Sequence, residues 1–255
     1  MFALHPDARS APLSKPLSRT LSGPLSRPLR HAFSLVELLL VCSLIMLLCS
    51  FLCAVITSLR RQAVRVSCMA TEHQVYEGLA LFAADNRGQT PLVCLGGTKQ
   101  DNYYYYGPDN HSDPAGAFGI LYEGGYVDAQ RGWYCPANKN PRWSFRTTQN
   151  PWPPKRGIKT RGSYGVRPEG DTSDNHFPLL MNYGTKALVA DICSEAVQFA
   201  DHHRSGMNVT YGDGSTRYQL FAVVAAPYKA IPNGLGYAGA YNNAFMRVWK
   251  LLDAN

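Results

Sequence analysis

The chain has 255 residues, 45% of them hydrophobic and 17% charged, with a formal net charge of +7. That length accommodates a leader, one membrane helix and one domain of ordinary size, and it requires no second domain. Arg9, Lys15, Arg19, Arg27 and Arg30 crowd the first 32 residues against Asp7 alone, leaving 20 basic and 17 acidic residues elsewhere, so no dense basic face remains to follow phosphates and no nucleic-acid partner is expected.

Residues 1–32 repeat Pro-Leu-Ser at Pro12-Leu13-Ser14, Pro16-Leu17-Ser18 and Pro24-Leu25-Ser26. A segment so rich in proline and serine cannot build a core, and it reads as a basic leader. From Phe33 to Leu59 the ionisable side chains are Glu37 and the thiols of Cys42, Cys49 and Cys53. At ~1.5 Å per residue this run is long enough to cross a bilayer as a helix. The five basic residues before it, against Arg60, Arg61 and Arg65 after it, place the leader on the cytoplasmic side. A carboxylate near the start of such a span is costly without a partner, so Glu37 reads as functional.

The helical pattern continues beyond the span. Val64, Cys68, Val75, Leu79 and Phe82 fall close to one stripe with Thr71 filling the gap, while Arg65, Glu72 and Glu77 are read as lying off it. One helix is expected over residues 33–88, with 33–59 transmembrane and Asp85-Asn86-Arg87-Gly88 as its closing turn ahead of Pro91. Its second half needs a partner for its apolar stripe.

Residues 89–255 then form a head. The tract Asp101-Asn102-Tyr103-Tyr104-Tyr105-Tyr106-Gly107 reads as a strand or loop whose rings pack inward, with a saccharide-stacking surface as the alternative. Phe118–Val127 reads as a short helix or turn and a connector, Trp133-Tyr134-Cys135 as a strand ending at Pro136, and Gly162–Val166 as another strand. Apolar runs follow at Ala187–Asp191 and Ala196–Ala200. Met207–Tyr211 and Thr216–Leu220 flank Gly212-Asp213-Gly214-Ser215 and make a hairpin, and Ala244–Leu252 makes a terminal helix. The stretch 138–159 carries no assignable pattern.

Cys68, Cys94, Cys135 and Cys193 lie beyond the membrane in this orientation, in an oxidising compartment. Four cysteines allow three complete pairings. A Cys68–Cys135 disulfide is preferred because one cysteine lies on the exposed half of the helix and the other in the head; two separate buried thiols are the alternative. No Cys-x-x-Cys or Cys/His spacing suggests zinc.

Ala32-Phe33-Ser34-Leu35-Val36-Glu37-Leu38-Leu39-Leu40-Val41 resembles the amino terminus of prepilins, the precursors of type IV pilins and type II secretion pseudopilins. The resemblance implies cleavage between Ala32 and Phe33 by a prepilin peptidase and N-methylation of Phe33. The family usually carries glycine where this chain has Ala32. An amine at Phe33 would pair with the Glu37 carboxylate of a neighbouring subunit, removing the cost of burying either charge alone. An ordinary signal anchor is the plain alternative.

The head is similar to a large group of bacterial prepilin-like proteins with a histidine, nine intervening residues and Asp-Gly, here His203 and Asp213-Gly214. Cys68, Phe118–Tyr122, Tyr134-Cys135-Pro136 and Ser163-Tyr164-Gly165-Val166 extend the likeness. His203 and Asp213 are candidates for a metal or catalytic site, and a brace across adjoining hairpin strands is the simpler reading. Asp201-His202-His203 offers metal ligands too, but adjacent side chains in a strand point to opposite faces. Pseudopilin heads sometimes hold calcium in a loop, and Asp171-Thr172-Ser173-Asp174-Asn175 has suitable oxygens at Asp171 and Asp174, although a solvated turn explains it as well. No nucleophile elbow or phosphate-binding glycine loop is present, and no cofactor is expected.

These readings converge on an α+β, pilin-like architecture, with the long amino-terminal helix packed on an antiparallel sheet. The expected role is non-enzymatic: a single-pass inner-membrane subunit with a periplasmic or extracellular head, processed by prepilin peptidase. It would be drawn by an inner-membrane assembly platform into a filament with other pilin or pseudopilin subunits. A tethered or filament-tip binding protein predicts an exposed aromatic patch instead. A metal-dependent envelope enzyme predicts that His202, His203 and Asp213 converge.

Overall fold

A computed structural model describes residues 34–94, 101–107, 115–127, 133–171, 177–191, 205–229 and 239–254. The chain divides into two compact units, Met1–Phe51 and Leu52–Asn255. The described part of the first is helical from Leu35 onward. That helix, α1, runs over Leu35–Asp85. It closes with Arg87 in the left-handed region (φ 56°) and the Gly88 N–H donated 2.7 Å to the Ala83 carbonyl. The exit turn therefore falls where Asp85–Gly88 predicts it.

In the second unit the elements follow as β1 (Val93–Cys94), β2 (Asp101–Tyr105), α2 (Ala117–Glu123), β3 (Thr160–Val166), β4 (Gly170–Asp171) and a 3-10 turn at Leu180–Tyr183. Then come β5 (Ala187–Asp191), β6 (Gly206–Tyr211), β7 (Thr216–Leu220), α3 (Phe221–Lys229) and α4 (Gly239–Asp253). A five-stranded sheet has the order β2-β3-β5-β6-β7 and is antiparallel at every pairing. β1 and β4 form a separate two-residue parallel pair. The fold is thus α+β, with a long apolar amino-terminal helix and an antiparallel sheet.

Alternation along β6 sorts the two cores, because successive side chains leave a strand on opposite faces. Met207, Val209 and Tyr211 pack with Phe245, Val248, Trp249 and Leu252 of α4 and Val224 of α3. The α4 residues recur at helical spacing, which gives that helix its apolar stripe. Cys68, Val75, Leu79 and Phe82 of α1 join Tyr104, Phe118, Leu121, Trp133, Tyr164 and Val166 in the other core. Asp253 fastens α4 to the sheet, accepting the Ala187 N–H at 2.9 Å and the buried Arg167 guanidinium at 2.7 Å.

Two sequence expectations need correction. Trp133–Cys135 is a bend and turn, not a strand, held where the Ser163 N–H donates to the Trp133 carbonyl; Pro136 and the small residues after it favour a turn at the rim of the core. The helix α3 carried no sequence signal, since its apolar residues surround Pro227 without a recognisable stop or start. The terminal helix begins at Gly239, earlier than its apolar stripe.

α2 crosses β2 so closely that a Cβ on Gly119 would stand 2.0 Å from the Tyr104 carbonyl oxygen. Gly119→Ala is therefore expected to destabilise the head by about 3 kcal/mol, read as a lowered midpoint in urea denaturation followed by near-ultraviolet circular dichroism.

Candidate functional site

The amino end of α1 carries the glutamate half of a capping box. Ser34 precedes the first helical residue, its carbonyl accepts the Leu38 N–H, and Glu37 turns back so that Oε2 accepts the Ser34 N–H at 3.0 Å. This satisfies an otherwise orphaned donor and puts a negative charge at the positive end of the helix dipole. The pattern Ser-x-x-Glu before an apolar run was the sequence signal for this cap, and it was overlooked beside the reading of Glu37 as a partner for another subunit. Ala32 and Phe33 lie outside the described residues.

Behind that cap the large apolar side chains from Leu35 to Leu59 are between 43% and 79% exposed. The helix is long and apolar enough to cross a membrane. A stripe of this size without a packed neighbour needs lipid or protein around it.

A second polar constellation lies where α1 meets the sheet. Glu72, read from sequence as lying off the buried stripe, is fully buried. Its position, four residues after Cys68 and three before Val75, puts it on the same helical face as both. Removal from water raises its pKa well above the ordinary carboxylate range, and the nearby Asp191 charge adds to the effect. Thr210 lies within reach and pulls the other way, but among the described residues neither Glu72 oxygen completes a well-formed hydrogen bond. Asp191, itself buried, accepts the Asn208 N–H at 2.8 Å. The Asn208 amide is buried, and among the described residues its side chain has no partner. Thr71 bonds the Tyr164 hydroxyl, which also reaches the Cys68 carbonyl at 3.2 Å. Cys68 and Cys135 lie beside this layer, both buried in the same core and near enough for each to act on the other electrostatically. The pair preferred for a disulfide is thus adjacent, and it is present here as two thiols.

The remaining sequence candidates do not assemble into one site. Asp213 sits in the exposed turn between β6 and β7, where its Oδ1 accepts the Ser215 N–H at 2.8 Å. The Ser215 hydroxyl and then its N–H, aided by Arg217, hold the Asp213 carboxyl below the usual range. Gly214 supplies the turn's left-handed residue (φ 82°). Asp213 is bonded within its own turn, and the strand before that turn, β6, begins at Gly206; the brace expected between Asp213 and His203 involves a residue outside those described. His202 and His203 lie outside the described residues. Asp171 ends β4 beside Cys94, whereas Asp174 lies outside the described residues. Among the described residues no group of three or more His, Cys, Asp and Glu is placed to hold a metal.

The aromatic tract is core. Tyr104, Tyr105 and Tyr106 are buried, as are Trp133, Tyr134 and Trp143, and Tyr104 packs against Phe118, Tyr122, Trp133 and Trp152. These rings do not form the exposed patch that a glycan-stacking surface requires.

The geometry defines an α+β protein with a candidate membrane-spanning helix and a polar layer beneath its second half. No protein-family model, curated protein or solved structure matches the chain.

Burial of Glu72 makes the head sensitive to pH. Its folded pKa is raised, so the folded state binds more protons than the unfolded state above the ordinary carboxylate range, and stability falls as pH rises from there toward the folded value. Glu72→Gln is expected to flatten that decline and to raise the melting temperature at pH 7, in thermal denaturation of detergent-solubilised protein run from pH 4 to pH 8.

Proposed function

We propose that this protein is a non-enzymatic structural subunit of a type IV pilus-like or type II secretion pseudopilus filament. It is made with a basic leader, inserted once in the inner membrane with its amino terminus in the cytoplasm, cut by prepilin peptidase between Ala32 and Phe33, and methylated at Phe33. The observation that carries this reading is the helix running from Leu35, apolar and exposed through Leu59, with one carboxylate in its first turn. In the membrane the segment packs in lipid. In a filament it packs against the same segment of other subunits.

Glu37 supports the reading through its two oxygens. Oε2 takes the Ser34 N–H and fixes the carboxylate at the mouth of the helix. Oε1 is available in that geometry to an ammonium from a neighbouring subunit, and the pair is worth most where lipid or packed helices exclude water. The carboxylate would then penalise a lone subunit and favour the assembled one.

Co-expression with a prepilin peptidase, with mass spectrometry of the amino terminus, tests the processing step. The expected product begins at methylated Phe33. An intact leader under conditions that process a control prepilin would leave the protein a permanent membrane anchor. Cap and charge separate through two variants scored by filament incorporation: Glu37→Ala removes both, whereas Glu37→Gln keeps an oxygen for the Ser34 N–H. Both are expected to lose incorporation at least tenfold, a loss of about 1.4 kcal/mol or more per subunit. Incorporation by Glu37→Gln would reduce Glu37 to a helix cap.

A further inference from the structure

α1 is joined to the head by packing and by a small number of hydrogen bonds, and at one point by an arrangement able to become covalent. Cys68 on α1 and Cys135 in the turn that follows Trp133 are far apart in sequence, yet their side chains meet inside the first core. They are 0% and 3% exposed. The Thr71–Tyr164 and Tyr164–Cys68 bonds hold α1 over β3 at this level, so the two sulfurs are brought together by the fold rather than by mobile loops. Among the described residues no third and fourth ligand joins them to make a metal centre.

We propose that Cys68 and Cys135 are a disulfide-forming site that staples the second half of α1 to the head. The inference rests on the proposed function in one respect, the oxidising compartment to which that reading assigns the head. Two S–H bonds break and one S–S bond forms. Two protons and two electrons leave, and the electrons reduce an oxidant of the disulfide class to two thiols by way of a mixed disulfide on one cysteine. Burial pushes the Cys135 thiol far above its ordinary range, and the thiolate is the attacking species. The folded pair is consequently a poor nucleophile. Oxidation belongs to the folding chain, before α1 docks, and the finished bond is shielded from reductants by the same packing. Closing the long loop between positions 68 and 135 also removes a large share of the unfolded chain's freedom.

Peptide mapping tests this. The full chain, purified in detergent from cells, is quenched in acid, alkylated without reductant and digested with trypsin, which places Cys68 in residues 66–87 and Cys135 in residues 132–139. The expected product is those two peptides linked, separating on reduction. If both arrive alkylated from cells, a second arm decides. The reduced chain is opened in urea and returned to native conditions in a glutathione buffer poised near about −200 mV. A linked pair there sustains the site and overturns the compartment on which the proposed function depends; alkylated thiols there overturn the site. Stability supplies an independent readout. Reduction in urea, where the bond is open to reductant, followed by refolding with the thiols kept reduced is expected to lower the melting temperature relative to the oxidised chain by roughly 10 °C and to leave a Cys68→Ser/Cys135→Ser variant unchanged. Equal insensitivity of both proteins to that treatment would overturn the staple.

Discussion

The structure depends on how one helix disposes of its apolar surface. α1 carries apolar side chains along most of its length, and among the described residues they enter the core from about Val64 onward. There the helix meets one face of an antiparallel sheet and an aromatic cluster. Before that point the large apolar side chains from Leu35 to Leu59 are exposed, and their burial calls for lipid or protein around them. A protein built this way is incomplete as an isolated monomer in water. Its environment, whether bilayer or bundle, supplies part of its fold.

The contact between α1 and the sheet is unusually polar for a core. Glu72, Asp191, Asn208 and Thr210 lie across from one another where leucines would pack more favourably. Desolvating such groups costs free energy that the surrounding aromatic and aliphatic packing must offset. What polar groups contribute in return is register. An apolar helix can rotate or slide over an apolar sheet at little cost, whereas Thr71 against Tyr164, and Tyr76 donating 3.0 Å to the Gly212 carbonyl, fix both angle and height. Arg65 stacks over the Tyr218 ring at 4.6 Å and adds a tie at the edge strand.

Local signals made much of this legible in the sequence. The span announced itself by length and composition, the end of α1 by Gly88 and Pro91, the β6–β7 hairpin by alternation around Asp213-Gly214, and the terminal helix by its stripe. Glu72 departs from its sequence expectation because charge usually marks exposure, whereas its spacing from Cys68 and Val75 puts it on the buried face. The polar layer joins α1 to strands more than a hundred residues later, and periodicity within one segment cannot reveal such a pairing. The Trp133–Cys135 turn was mistaken for a strand because aromatic residues serve either role, and tertiary contacts decide. The adjacency of Cys68 and Cys135 was anticipated, whereas the cap at Ser34 and Glu37 was visible and overlooked.

The separation in sequence between α1 and the strands beneath it has a consequence for biosynthesis. α1 is complete long before β5 and β6 leave the ribosome, and contacts this distant in sequence form slowly once they can form at all. During that interval the face meant for the sheet stands open, and in the proposed membrane setting the preceding twenty-odd residues would be the part the bilayer accepts. Arg60, Arg61, Arg65 and Glu72 interrupt the greasy surface there, and none of them enters hydrocarbon cheaply. In a chain inserted as proposed, these side chains would act as a stop on the depth of insertion, keeping the docking face in water until its partner has been made.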